Sequence, residues 1–149
     1  MQLPTMGCAA DLPVQRLRSD QPAFSASSGF DEAEQFVVRD PARWTEAWKR
    51  IHARSRPVPP LPEVDFAREM IVVVALGSTR SGGYGVRIER AYRSGPATVI
   101  VVRVEEPGPG CIATSAITRP VDVARLPASD EPVLFEVGTV TRSCGATPP

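Results

Sequence analysis

The apolar and polar positions of this chain alternate with a period of two along most of its second half, and with a helical period in one place only. Met70-Ile71-Val72-Val73-Val74-Ala75-Leu76 is apolar throughout, the pattern of a central strand covered on both faces. Val86, Ile88 and then Ile100, Val102 and Val104 alternate with Arg87, Glu89, Arg103 and Glu105, as half-buried strands do. Tight turns at Gly77–Gly85 and Ser94-Gly95-Pro96 predict that these three segments form an antiparallel meander. Shorter strands are expected at Gln35–Val38, Ile112–Thr118, Val121–Leu126 and Val133–Val140. The helical stretch has Asp40 as N-cap and Pro41 at the first position, and Trp44, Ala47, Trp48 and Ile51 form one stripe. The two tryptophans lie on the face that must bury, so they read as core. His52, just beyond the stripe, reads as a helix C-terminal residue that suits the dipole. The expected fold is α+β and mostly antiparallel β: a curled sheet or small sandwich-like meander with one capping helix at about 41–53.

Punctuation along the chain sets the organisation. Residues 1–29 are polar and rich in small residues, and read as a flexible N-terminal extension. Residues 30–142 form a single β-rich domain, and 143–149 a tail. The run Pro57-Val58-Pro59-Pro60-Leu61-Pro62 ends the helical region in a stiff extended connector. At 149 residues the chain suits one domain.

Seventeen basic residues balance seventeen acidic ones, which argues against a nucleic-acid partner or a polybasic membrane patch. Three cysteines and one histidine fit no zinc spacing, so neither metal nor cofactor is expected. Cys111 follows a Pro-Gly-Pro-Gly loop and Cys144 ends the last strand-like segment. A disulfide between them would tie the tail to the sheet and contribute roughly 3–4 kcal/mol; the alternative is two thiols in a cytosolic protein. Cys8, after Gly7, faintly resembles a lipidated cysteine behind an export signal, yet seven residues cannot hold the signal itself. The alternative is a bystander thiol.

Candidate catalytic chemistry is thin. Glu105 and Glu106 are adjacent and on a strand point to opposite faces. Asp65, Glu69, Asp122, Asp130 and Glu131 fall at strand ends and turns. Ser78 and Ser81 lack a nucleophile-elbow pattern, and Gly77–Gly85 lacks the lysine-serine pair and following helix of a phosphate loop. That turn has two compatible readings. One is a hairpin loop in which Gly82 and Gly83 take positive φ and Tyr84 packs back on the sheet. The other is a binding edge in which Arg80, Gly82, Gly83 and Tyr84 enter a partner's groove.

The stations Asp65-Phe66, Gly82-Gly83-Tyr84, Pro107-Gly108-Pro109-Gly110-Cys111, Thr118-Arg119-Pro120 and Val123-Ala124-Arg125-Leu126-Pro127, with Trp44 and Trp48 ahead of them, resemble the PrcB C-terminal domain family over roughly residues 28 to 137. The resemblance implies an exported or lipid-anchored, non-enzymatic accessory module that stabilises or assembles an extracytoplasmic protease, with a protein partner and an envelope or periplasmic location. Gly82-Gly83-Tyr84 is also similar to the Thr-Gly-Tyr loop of chagasin-type cysteine protease inhibitors, without the asparagine-proline opening or the aromatic residue after the tyrosine. Two alternatives therefore stand beside the accessory reading: a protease inhibitor acting through Gly77–Gly85, and a small hydrolase with an unrecognised site.

Overall fold

A computed structural model describes residues 11–17, 27–112 and 115–143. Its elements in chain order are β1 (Asp11–Leu12), β2 (Gln15–Arg16), β3 (Glu34–Val38), α1 (Pro41–Ile51), β4 (Glu69–Ala75), β5 (Gly85–Ser94), β6 (Ala97–Pro107), β7 (Val121–Pro127) and β8 (Val133–Arg142). The strands make two four-stranded sheets, ordered β1-β5-β6-β8 and β2-β7-β4-β3. The α+β, largely antiparallel reading holds, with one parallel pair between β6 and β8.

Three layers result. Met70, Val72, Val74, Ala124 and Leu126 point from the β2-β7-β4-β3 sheet into an apolar core shared with Val86, Ile88, Ile100, Val102 and Val104 of the other sheet. The alternate residues Ile71, Val73, Val121 and Val123 face the opposite way, onto Trp44, Trp48 and Ile51 of α1. The unbroken apolar run of β4 is thus explained, because helix and sheet each bury one of its faces.

The helix is held at both ends. The Asp40 carboxylate accepts from the Arg43 amide at 2.9 Å, and His52 is the C-cap. The tryptophans do more than fill space. The Trp44 indole donates to the Pro62 carbonyl at 3.0 Å and the Trp48 indole to the Pro59 carbonyl at 2.9 Å. Carbonyls of a proline-rich connector have few neighbouring amides to satisfy them, so the indoles strap the connector along the helix. His52 is buried, its ring 4.3 Å from that of Trp48 and its Nδ1 2.9 Å from the Ser55 hydroxyl.

The structure corrects three expectations. β4 and β5 belong to different sheets, so Gly77–Gly85 is a crossover between sheets and not a hairpin, and the expected three-strand meander reduces to the β5–β6 hairpin. The expected strand Ile112–Thr118 is absent from the described part of that segment, which has only an isolated bridge from Thr118 to Thr79; residues 113 and 114 lie outside the described residues. The stretch before residue 30 also contributes structure. β1 pairs with β5 and β2 with β7, and Pro13-Val14 carries the chain from one sheet to the other at an open corner. Ser28 and Phe30 are fully buried.

At that corner sits Asp122, 2 % exposed. Its carboxylate accepts from Arg16 Nε at 2.8 Å and Nη2 at 3.2 Å, and from the Ile88 amide at 2.8 Å. β1 reaches only Tyr92 and Ala91 of β5, and beside Ile88 the β5–β6 register is interrupted by a bulge. Asp122 therefore stands in for a strand partner. Asp122→Ala leaves Arg16 unpaired and the Ile88 amide without its acceptor, and should lower stability by about 3–5 kcal/mol in urea unfolding.

A smaller effect is expected at acid pH. Hydrogen bonding to the Arg50 guanidinium holds the Glu34 carboxyl below its usual value. A carboxylate with a depressed folded-state pKa contributes stability above its unfolded pKa and loses it as pH falls through the folded value. For this half-exposed pair the contribution is less than about 1 kcal/mol. Glu34→Gln should therefore lower neutral-pH stability by up to that amount, converge with the wild type in acid, and so flatten that part of the acid limb of a stability–pH curve.

Candidate functional site

The glycine turn leaves β4 through Leu76, whose amide donates to the Pro120 carbonyl at 3.0 Å. Gly77 has φ +81°, and a Cβ there would lie 2.7 Å from the Ala33 nitrogen and from the Glu32 carbonyl carbon. Only glycine fits, because both the left-handed backbone and the approach to residues 32–33 exclude a side chain. The Ser78 amide then donates to the Asp31 carbonyl at 3.0 Å.

The middle of the turn is tied to the segment before β7. The Thr79 amide donates to the Thr118 carbonyl at 2.8 Å. The Thr79 and Thr118 hydroxyls both lie within hydrogen-bond distance of the Ser81 carbonyl, at 3.1 and 3.2 Å. Arg119 in turn pairs with Asp31 at 2.7 Å. The positive φ needed to reverse the chain falls at Gly83, φ +94°, together with Gly77. Gly82 does not share it, which corrects the expected Gly82-Gly83 pair.

The far side of the turn is held by the end of β8. Arg142 Nη2 donates to the Gly83 carbonyl at 3.1 Å, and its Nη1 lies 4.0 Å from Glu105. The Arg142 carbonyl accepts from the Gly108 amide at 2.9 Å and lies 3.4 Å from Cys111 Sγ. Gly108 is packed so closely that a Cβ would meet that carbonyl oxygen at 2.5 Å. Arg142 thus joins the Gly82-Gly83-Tyr84 station to the Pro107–Cys111 loop, two segments that the whole β5–β6 hairpin separates in sequence.

Among the sequence-derived candidates, Gly83 meets this loop directly, a Cβ there lying 3.2 Å from Pro107 Cβ, and Gly82 and Tyr84 flank it in the chain. Tyr84 is half-buried and Arg80 is exposed on the same turn. Beyond them stand Ile112 and Ile117, 102 % and 61 % exposed, on segments that lead into and out of the same cluster. Sequence reasoning missed both, because they lay in a stretch assigned to a strand. Cys8 and Cys144 lie outside the described residues.

Asp65, Glu69, Asp122 and Glu131, considered for catalysis, have structural partners. Asp65 caps the turn into β4 by accepting from the Ala67 amide at 3.1 Å. Glu69 pairs with Arg125 at 3.3 Å, Asp122 with Arg16 and Glu131 with Arg93. A separate groove of about 420 Å3 lies between β3 and α1, floored by Phe36, Val38 and Ala47 and flanked by Arg43, Glu46 and Arg50. The Arg50–Glu34 ion pair crosses it, and it contains no residue of the turn. No helix among the described residues is long and apolar enough to cross a membrane.

The fold is a helix-backed sandwich whose irregular loops gather into one braced, partly apolar rim. Residues 70–127 match the model of the PrcB C-terminal family, a stretch that contains β5, β6 and β7, all of β4 after Glu69, and the whole of the rim except Arg142. No curated protein and no solved structure matches the chain.

Two glycines separate conformational strain from steric exclusion. Gly95 has φ +58° and open space where a methyl group would sit, with nothing within 4 Å, whereas Gly77 faces backbone. Gly95→Ala should therefore cost only about 1 kcal/mol, the usual penalty of the left-handed region. Gly77→Ala should cost clearly more and lower the midpoint of thermal unfolding further, because residues 31–33 must also move.

Proposed function

We propose that this domain is a non-enzymatic accessory module of an extracytoplasmic protease complex, and that it grips a protein partner through the rim formed by Gly77–Gly85, Pro107–Ile112 and Ile117–Pro120. The observation that carries the reading is the rim itself. Exposed Ile112 and Ile117 and exposed Arg80 surround a turn that hydrogen bonds already hold in one conformation. A pre-ordered apolar edge loses little conformational freedom on docking, and tyrosine and arginine are common anchors of such contacts. The family match supports the choice of partner class, since it spans the turn and both loops beside it.

In this reading Arg80, Gly82, Gly83 and Tyr84 form the contact, with Arg142 positioning Gly83. A Cys111–Cys144 disulfide would lock the rim further, and the approach of Cys111 Sγ to the Arg142 carbonyl, two residues before Cys144, supports that pairing. The same bridge fits an envelope location, in which lipidation at Cys8 would anchor the chain.

The test is affinity capture from the native envelope with the wild-type chain and with Tyr84→Ala and Arg80→Ala, followed by mass spectrometry. The expected result is a protease recovered by the wild type and depleted roughly tenfold or more with Tyr84→Ala, while circular dichroism shows both variants folded. Absence of any protease, or equal recovery by all three proteins, overturns the reading. Inhibition of the recovered protease at micromolar concentration would shift the role from accessory to inhibitor. Intact mass before and after reduction should differ by the two hydrogens of one disulfide.

A further inference from the structure

Among the described residues β8 is an unpaired edge. It pairs with β6 alone among the described strands. Its first part packs inward through Val133 and Phe135, but every residue from Glu136 to Arg142 is exposed. Leu134, Val137 and Val140 are 56 %, 49 % and 48 % exposed. The strand has no proline, no lysine and no bulge, the devices that normally blunt an edge.

The direction of its free hydrogen-bonding groups follows from the ladder with β6. The Thr98 amide donates to the Pro132 carbonyl and the Gly108 amide to the Arg142 carbonyl, each at 2.9 Å. Between these points the register runs unshifted from Thr98↔Val133 to Pro107↔Arg142. In a parallel ladder alternate residues of a strand address its neighbour. The even-numbered residues of β8 therefore address β6, and Val137, Thr139 and Thr141 turn their N–H and C=O groups outward.

We infer that the occupant of this edge is a second copy of β8, paired antiparallel across a two-fold axis at Thr139. Two independent constraints select that partner and register. An antiparallel ladder needs outward-facing residues opposite one another; placing Thr139 opposite its own copy does so, with Val137 opposite Thr141 on either side. The only charged residues of β8 are Glu136 and Arg142, and this register sets each Glu136 opposite the Arg142 of the other copy, twice by symmetry. Moving the axis to Glu136 preserves the hydrogen-bond phase but sets like charges face to face, which is destabilising.

Side-chain volume agrees. In the same register Val140 of one copy lies opposite Gly138 of the other. No atom lies within 4 Å of the position a Cβ would take on Gly138, so that space can receive the valine. Two four-stranded sheets then become one eight-stranded sheet with the same contact patch on both copies, as a closed two-fold dimer requires. The pairing rests on the edge strand and is independent of the partner proposed for the rim.

Sedimentation equilibrium of the full chain from micromolar to millimolar concentration tests the inference. The wild type should shift from monomer to dimer and stop there. Thr139→Pro deletes an outward-facing amide while leaving the β6 ladder intact, a placement edge strands tolerate, and should abolish the dimer with the monomer still folded by circular dichroism. Glu136→Arg, which does not touch the backbone, should weaken dimerisation roughly tenfold or more by setting like charges opposite. A wild type that stays monomeric throughout, or a dimer indifferent to both Thr139→Pro and Glu136→Arg, overturns the proposal.

Discussion

Asp122 is the group on which the two-sheet arrangement turns. Among the described residues it is the single buried acidic side chain, beside an otherwise apolar core between sheets, and it is satisfied from three directions: two nitrogens of Arg16 and the amide of Ile88. A buried carboxylate is tolerable only with such partners, and they come from two different parts of the chain. Through it β7 of the helix-backed sheet holds β5 of the other sheet and the short β2 strand together. The sandwich is open along this corner, where neither sheet can close the gap with backbone pairs alone.

The rim depends on that arrangement. Because β4 and β5 lie in different sheets, the segment between them must cross the end of the sandwich, and the glycine-rich sequence lets it do so against residues 31–33. Thr118 and Arg142 then fix it from either side. A hairpin tip would have projected freely into solvent. A braced crossover instead presents one surface, to which the loops before β7 and after β6 add exposed isoleucines. The stiffness of the turn and the exposure of its neighbours are two outcomes of one topological fact.

The same sheet order leaves β8 at an edge. Its N-terminal part is fixed by the core through Val133 and Phe135, while its C-terminal part extends past the cover of the opposite sheet. Arg142 is then engaged on one side with the Gly83 carbonyl and remains 48 % exposed, so the strand that braces the rim is also the one with free backbone groups. Rim and edge are neighbouring features with separate physical causes: loop convergence in one case and an unpaired ladder in the other.

Local pattern determined the elements well. The N-cap and proline of α1, its tryptophan stripe, the double-faced run of β4 and the alternation of β5 and β6 all follow from side-chain period and backbone preference, which act over a few residues. The series of stations from Asp65-Phe66 to Leu126-Pro127 also carried the family resemblance, and the matched residues 70–127 fall within it. Sheet membership was decided only in three dimensions, because nothing local distinguishes a hairpin from a crossover between glycine-rich ends. Asp122 shows the limit most clearly. Its signal was present, an acid inside Val121-Asp122-Val123-Ala124, but its meaning required Arg16 and Ile88, which are 106 and 34 residues away. Arg142 likewise had no local signature, since its role comes from bonding to turns that only tertiary packing brings beside it. Short-range sterics and patterning can be read along a chain, whereas the satisfaction of buried charge and the bracing of loops depend on contacts between distant segments.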